Sequence, residues 1–212
     1  MIDQLSITVL VDNAPGRLGL KTEHGLSLWI ETESRRILFD AGQSDMLLHN
    51  AEQLNIDLST ADSVILSHGH YDHTGGIAHV LSKLCSATIY CHSSVFVPRY
   101  SRQSDGRMKP IGIDKNSSKA LHDAYNRIHW VNEAINISED FGITGPIPRN
   151  TDFENTGGDF YFDPDGNRPD PVNDDLALWF RTTKGIIVVT GCCHSGIINT
   201  LEYVKTLSLI HI

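Results

Sequence analysis

A chain of 212 residues with 40% apolar content can bury a full core in one domain without a metal or disulfide framework to hold it together. Its formal charge of −9 argues against a broad nucleic-acid surface, which needs clustered Lys and Arg. Apolar runs such as 185–190 are too short to span a bilayer, and the N-terminus lacks a basic region followed by an apolar stretch. Four cysteines, Cys85, Cys91, Cys192 and Cys193, are too few for a disulfide scaffold at this length. The expectation is a cytoplasmic protein with reduced thiols, not membrane-bound, its oligomeric state open.

Leu5 to Val11 alternates and is rich in β-branched residues, Asp12 to Gly16 has turn chemistry, and Gly25 to Glu31 with Arg36 to Phe39 predicts a strand pair. Asp45 to Leu54 carries apolar residues at helical spacing and is closed by Asn55. Ser63 to Ser67 has the continuous apolar centre of an interior strand. Ile77 to Leu84 predicts a helix and Thr88 to Cys91 another buried strand, completing a βαβ unit. Val97 to Lys119, polar and broken by Pro98, Gly106, Pro110 and Gly112, predicts a long loop without helix or strand, and Thr151 to Asn173 a second. Between and after them Ile128 to Val131, Phe141 to Thr144, Leu176 to Thr182 and Ile186 to Thr190 predict strands, and Gly196 to Val204 a helix.

The chemistry-bearing segment directly follows the Ser63 strand. His68, His70, Asp72 and His73 lie within six residues on a chain leaving a strand and turning into a helix, so three imidazoles and a carboxylate can converge on one small volume. These donors suit a divalent metal: zinc, with iron or manganese as alternatives. Gly69, Gly75 and Gly76 are read as supplying the tight turns, through glycine's tolerance of positive φ.

His68 to Gly76, following Val64 to Ser67, resembles the signature of the metallo-β-lactamase superfamily, and Leu38 to Gly42 resembles that superfamily's preceding strand and turn. The resemblance implies an α/β (α+β) fold, the αββα sandwich of two mixed β-sheets flanked by helices, over nearly the whole chain. It also implies one or two metal ions, with His68 and His70 at the first site and Asp72 and His73 at the second. Gly191 to Thr200, Thr144 to Arg149 with Phe153 and Glu154, and Asp174 to Leu178 are similar to the branch of 7,8-dihydropterin-6-methyl-4-(β-D-ribofuranosyl)aminobenzene 5′-phosphate synthases. Pro146 departs from the acidic residue expected there.

His194, just past a strand end, is the candidate third imidazole of the first site, leaving one position open for water. Cys192 lies where the superfamily places a bridging Asp, so either a thiolate ligand or a packed thiol fits it. Asp175 and Asp174 are read as direct or supporting carboxylates, or as turn caps. Arg149 and His92 are candidates for substrate binding, Arg149 through bidentate pairing with a phosphate or carboxylate. His24, His49, His79, His122 and His129 read as scattered surface or packing residues.

Three functions follow as expectations. The first is a hydrolase in which a metal-activated water attacks a small ester or phosphoester, Asp72 handling its proton. The second is a transferase joining a pterin diphosphate to an arylamine. The third, a redox module using iron, lacks a flavodoxin-like partner domain in this sequence. The last six residues, Leu207 to Ile212, match the in-frame translation of a sequencing-library transposase adapter. They are read as a scar on a single domain, 1–206, whose C-terminal part is missing. The superfamily's last His would then be absent, the sole later histidine being His211.

Overall fold

In a computed structural model, which describes residues 1–14, 16 and 19–209, the chain opens with antiparallel strands β1 (Leu5–Val11), β2 (Ser27–Thr32) and β3 (Arg36–Phe39). Helix α1 (Met46–Gln53) crosses to β4 (Ser63–Ile65), which pairs parallel with β3. Short helices α2 (Tyr71–Thr74) and α3 (Ile77–Val80) lead to β5 (Thr88–Cys91), parallel to β4. After a hairpin, β6 (Tyr100–Arg102) and β7 (Met108–Pro110), and helix α4 (Lys115–Asp123), strand β8 (Ile128–Trp130) closes a six-stranded mixed sheet in the order β1-β2-β3-β4-β5-β8. The second sheet joins β9 (Ile135–Ser138), β10 (Phe141–Ile143), β12 (Ala177–Thr182) and β13 (Gly185–Thr190) in the order β13-β12-β10-β9, with a parallel bridge from Ile2 to Thr182. Strand β11 (Phe160–Tyr161) pairs with β6 to make a separate three-stranded sheet, and α5 (Ile197–Leu209) packs on β12.

The period of two along the central strands explains the layers. Ile37, Phe39 and Ile65 point into the core between the two sheets, against Phe141, Leu178 and Phe180. Their neighbours Leu38, Val64 and Leu66 point the other way, against Leu47 of α1, Ile77 of α3 and Leu121 of α4. Covered on both faces, β3 and β4 must be apolar at successive positions, which is why their sequence runs instead of alternating. The αββα sandwich places the C-terminal ends of β3, β4, β5, β10 and β13 at one rim, where polar residues begin.

Both long segments predicted to lack structure contain strands. Gly106, at φ 83°, turns the β6–β7 hairpin, and β11 comes from the second segment. Strands of two or three residues containing Lys and Pro show no apolar alternation, so only the tertiary pairing reveals them. Helix α4 starts inside the first segment, capped by the Asp114 carboxylate, which accepts from Asn116 and Ser117 N–H; its polar sequence hid it. No strand was predicted at Ile135–Ser138, where β9 lies. Of the presumed C-terminal scar, 207–209 continue α5, and His211 lies outside the described residues.

Candidate metal centre

The centre is built on a fully buried carboxylate. Asp40 follows β3 with φ 57°, a left-handed conformation that costs a non-glycine residue about 1–3 kcal/mol unless its surroundings fix it. Hydrogen bonds do so: Ser67 N–H donates to Oδ1 at 2.7 Å, and Ser67 Oγ and His73 Nδ1 donate to Oδ2 at 2.7 and 2.6 Å. Because the Ser67 hydroxyl proton is committed to Asp40, its oxygen accepts from His68 Nδ1 at 2.9 Å. One carboxylate thereby orients His73 directly and His68 through Ser67, turning each Nε2 toward the rim.

His68 Nε2 lies 2.9 Å from His70 Nδ1, near the roughly 3.3 Å that separates two nitrogens on a tetrahedral ion with bonds of about 2.0–2.1 Å. His194 Nδ1 donates to the Thr156 carbonyl at 2.6 Å, so its Nε2 carries the lone pair. His194 Nε2 is buried without a hydrogen-bond partner, an arrangement that native proteins avoid unless a ligand or ion completes it. The donor atoms of His68, His70 and His194 all fall within 4.8 Å of one another, as do those of His68, His73 and Cys192. His68 stands in both groups. These nitrogen and sulfur donors fit a zinc-type ion.

Electrostatics prepare the same atoms. Burial, reinforced by neighbouring imidazoles, holds His68 well below the ordinary histidine pKa, and burial with His194 and Arg99 brings His70 down to about 2; both imidazoles are neutral at pH 7. Burial also lowers His73, but Asp40 outweighs it and raises His73 well above the ordinary value. Burial pushes the Cys192 thiol up, and the imidazoles of His194 and His73 more than reverse this. His73 Nε2 lies 3.0 Å from Cys192 Sγ, a hydrogen bond whose proton a metal ion would displace.

Asp72 stands beside these groups, its Oδ2 3.5 Å from His73 Nε2 and 3.2 Å from His24 Nε2. Asp175 Oδ2 accepts from Ser195 N–H at 2.7 Å, pinning the turn that presents His194. Asp174 accepts from Gly69 N–H at 2.9 Å and from Arg99 Nη2 at 2.6 Å, holding the loop between His68 and His70. Arg149 is spent on backbone, donating to the carbonyls of His194 and Pro171 at 2.7 and 2.5 Å; it braces the His194 turn. His92 caps a short 3-10 turn by accepting from Ser94 N–H and is not among the residues that line the cavity at the centre. Gly75 and Gly76 have φ of −64° and −70°, so they are not there for positive φ. A side chain at either would strike backbone carbonyls, of Gln43 and Ala41 respectively; glycine is required for close approach.

Several residues at the centre escaped the sequence reading. Asp40 read as part of the turn that follows Phe39, and Ser67 as the end of an apolar strand. Arg99, 2% exposed, lay in the polar segment before β6, with nothing to pair it with Asp170 and Asp174. His24 looked like a surface residue. Phe160 of β11 packs its ring 5.0 and 5.2 Å from those of His70 and His194. An open cavity of about 350 Å³ lies over the imidazoles, lined by His24, Tyr71, Lys109, Ile111, Phe160 and Cys192 among others.

Replacing Asp40 with Asn, which can no longer accept from both Ser67 and His73 through one charged oxygen, is expected to weaken zinc binding about 10–100-fold. Competition against a chromophoric chelator measures this, and unchanged affinity would remove Asp40 from its orienting role.

A cluster of imidazoles at the strand ends of an αββα sandwich defines a metal-site protein of the metallo-β-lactamase kind. The chain belongs to the metallo-beta-lactamase superfamily, whose family model matches residues 20–209. It is similar to an uncharacterized protein of Methanocaldococcus jannaschii, 36% identical over 206 residues, covering 96% of this chain and 75% of that one. It is also similar to the 7,8-dihydropterin-6-methyl-4-(beta-D-ribofuranosyl)-aminobenzene-5′-phosphate synthase of the same organism, 28% identical over 212 residues, covering 95% and 72%. Among solved structures, Tm1679, a metal-dependent hydrolase of the beta-lactamase superfamily, matches with a TM-score of 0.76 at 33% identity, over 96% of this chain and 72% of its own. Among the described residues no helix is long and apolar enough to cross a membrane.

Proposed function

We propose that this chain is a metal-dependent hydrolase that cleaves a small ester or phosphoester with water. The observation that carries the reading is the convergence of His68, His70 and His194 within 4.8 Å under an open cavity, with the Nε2 of His194 buried and unpartnered. Those three imidazoles would hold one ion; His73 and Cys192, with His68 and Asp72 adjacent, would hold a second. Zinc suits both sets, with iron or manganese as alternatives. When bound, the metal supplies Lewis acidity, acidifying water toward neutral pH and polarising the substrate oxygen.

The remaining work falls to side chains. Asp72 Oδ2 takes the proton of the attacking water and passes it to His24 Nε2, 3.2 Å away; His24 is exposed and exchanges with solvent. Phe160 and Ile111 wall the cavity and limit bulk water at the imidazoles. Asp174, Asp175 and Arg149 keep the two ligand loops in place.

A second reading, a transferase joining a pterin diphosphate to an arylamine, is supported by the similarity to the M. jannaschii synthase. One experiment separates the two. Zinc-loaded protein is assayed against phosphodiesters, lactones and thioesters, and separately with a pterin diphosphate plus an arylamine. Hydrolysis in the first assay, lost after chelation and restored by zinc, is the expected result. Diphosphate release coupled to C–N bond formation, without hydrolysis, would replace this reading with the second.

A further inference from the structure

The rim of the cavity carries an ammonium with no carboxylate partner among the described residues and a phenol hydroxyl whose own proton is free to donate. Lys109, on β7, places its Nζ 3.1 Å from Tyr71 Oη and 4.9 Å from the centre of that ring. An ammonium can only donate, so the phenol oxygen accepts, and the Tyr71 hydroxyl proton remains free to donate elsewhere. Among the described residues Lys109 has no carboxylate within ion-pair distance, although the sequence holds 26 acidic side chains against 17 basic ones. Arg107, two residues earlier on the same hairpin, is paired with Asp105 at 2.6 Å. The position of Lys109 over the cavity is also fixed: Tyr71 N–H donates to the Ile111 carbonyl at 2.9 Å, and Ile111 N–H to the Arg99 carbonyl at 2.8 Å. The hairpin is therefore tied to the same loop that carries His70 and Asp72.

We propose that Lys109 and Tyr71 form a subsite for an anionic group of the substrate, a phosphate or a carboxylate, held on the hairpin side of the cavity away from the bond that is cleaved. This deepens the hydrolase reading and rests on it for the word substrate. The cavity, at about 350 Å³, is near the lower end of ligand sites, which run to roughly 300–1,000 Å³, so the anion belongs to a small molecule. Phe160 and Ile111 supply an apolar wall beside it, and Ser101 and Gln103 supply further polar contacts at the rim. The Lys109 ammonium lines the cavity with no carboxylate of the described residues to neutralise it, so an anionic group that enters there meets a complementary charge.

The test is calorimetric binding of phenylphosphonate, benzoate and neutral benzyl alcohol to the zinc-loaded protein. Wild type should bind at least one anion measurably and benzyl alcohol far more weakly; the tighter of the two anions identifies the group. Lys109→Met should weaken that anion by about 10-fold or more, the loss expected of a charged hydrogen bond. Lys109→Arg should retain binding within about 3-fold, since a cation is kept. Arg107→Met removes the same unit of charge from the same hairpin and should leave binding unchanged. Anion binding that is absent in wild type, unaffected by Lys109→Met, or equally weakened by Arg107→Met would overturn the subsite. Turnover of 4-nitrophenyl acetate by wild type, measured in parallel, tests the hydrolase reading separately. Its absence leaves the binding result standing, and its presence does not rescue a failed subsite.

Discussion

His68→Ala is expected to reduce zinc-dependent turnover by about 1,000-fold or more, corresponding to ~4 kcal/mol of lost transition-state stabilisation. The size follows from position. His68 is the one imidazole that belongs to both donor groups, so its removal takes a ligand from each. It is also the imidazole that Asp40 reaches through Ser67, so the same change leaves the Ser67 hydroxyl without one partner. His194→Ala strips only the His68, His70 and His194 group, and should leave the ion at His73 and Cys192 measurable by elemental analysis. Equal loss of metal from both variants, or undiminished turnover in His68→Ala, would mean that His68 does not join the two groups.

Arg99→Met should destabilise the folded protein by about 3–5 kcal/mol, the cost of breaking a buried ion pair from one side. Arg99 Nη2 donates to Asp174 Oδ1 at 2.6 Å, and its Nε lies 3.3 Å from Asp170 Oδ2, all three side chains being essentially inaccessible. Removing the guanidinium strands two carboxylates without water. Burial already pushes the Asp170 carboxyl up, against the pull of Arg99. The damage also reaches the centre, because Asp174 holds Gly69 N–H between His68 and His70. Urea unfolding measures the loss, and Arg99→Lys, which keeps a charge but not the planar fork, should lose less. A change below about 1 kcal/mol in Arg99→Met would show that water or neighbouring groups satisfy both carboxylates.

The contrast between what the sequence revealed and what it hid has a physical basis. Strands β3, β4 and β5 are legible because each has a continuous apolar or aromatic run, Ile37 to Phe39, Val64 to Ile65 and Ile89 to Cys91, after a polar first residue. The donors from His68 to His73 are legible because they sit on one turn of chain. Asp40 binds His73 across 33 residues and Asp174 binds Gly69 across 105, and no local pattern encodes either contact. The same holds for Phe160 and Lys109, which reach the cavity only through a three-stranded sheet assembled from two separate polar segments. Arg149, read as a substrate-binding residue because it sits in a rigid polar loop, has its guanidinium occupied by two backbone carbonyls; a sequence does not distinguish a cation that faces a ligand from one that braces a turn. His92 shows the same ambiguity at the end of β5.

In the proposed centre imidazoles, not water or carboxylates alone, surround the ion. Zinc-edge X-ray absorption of the loaded protein tests this directly. It should give a shell dominated by nitrogen at about 2.0–2.1 Å with a sulfur contribution near 2.3 Å from Cys192 that disappears in Cys192→Ser. A six-coordinate shell of oxygen alone, or zinc that dialyses away without a chelator, would contradict it.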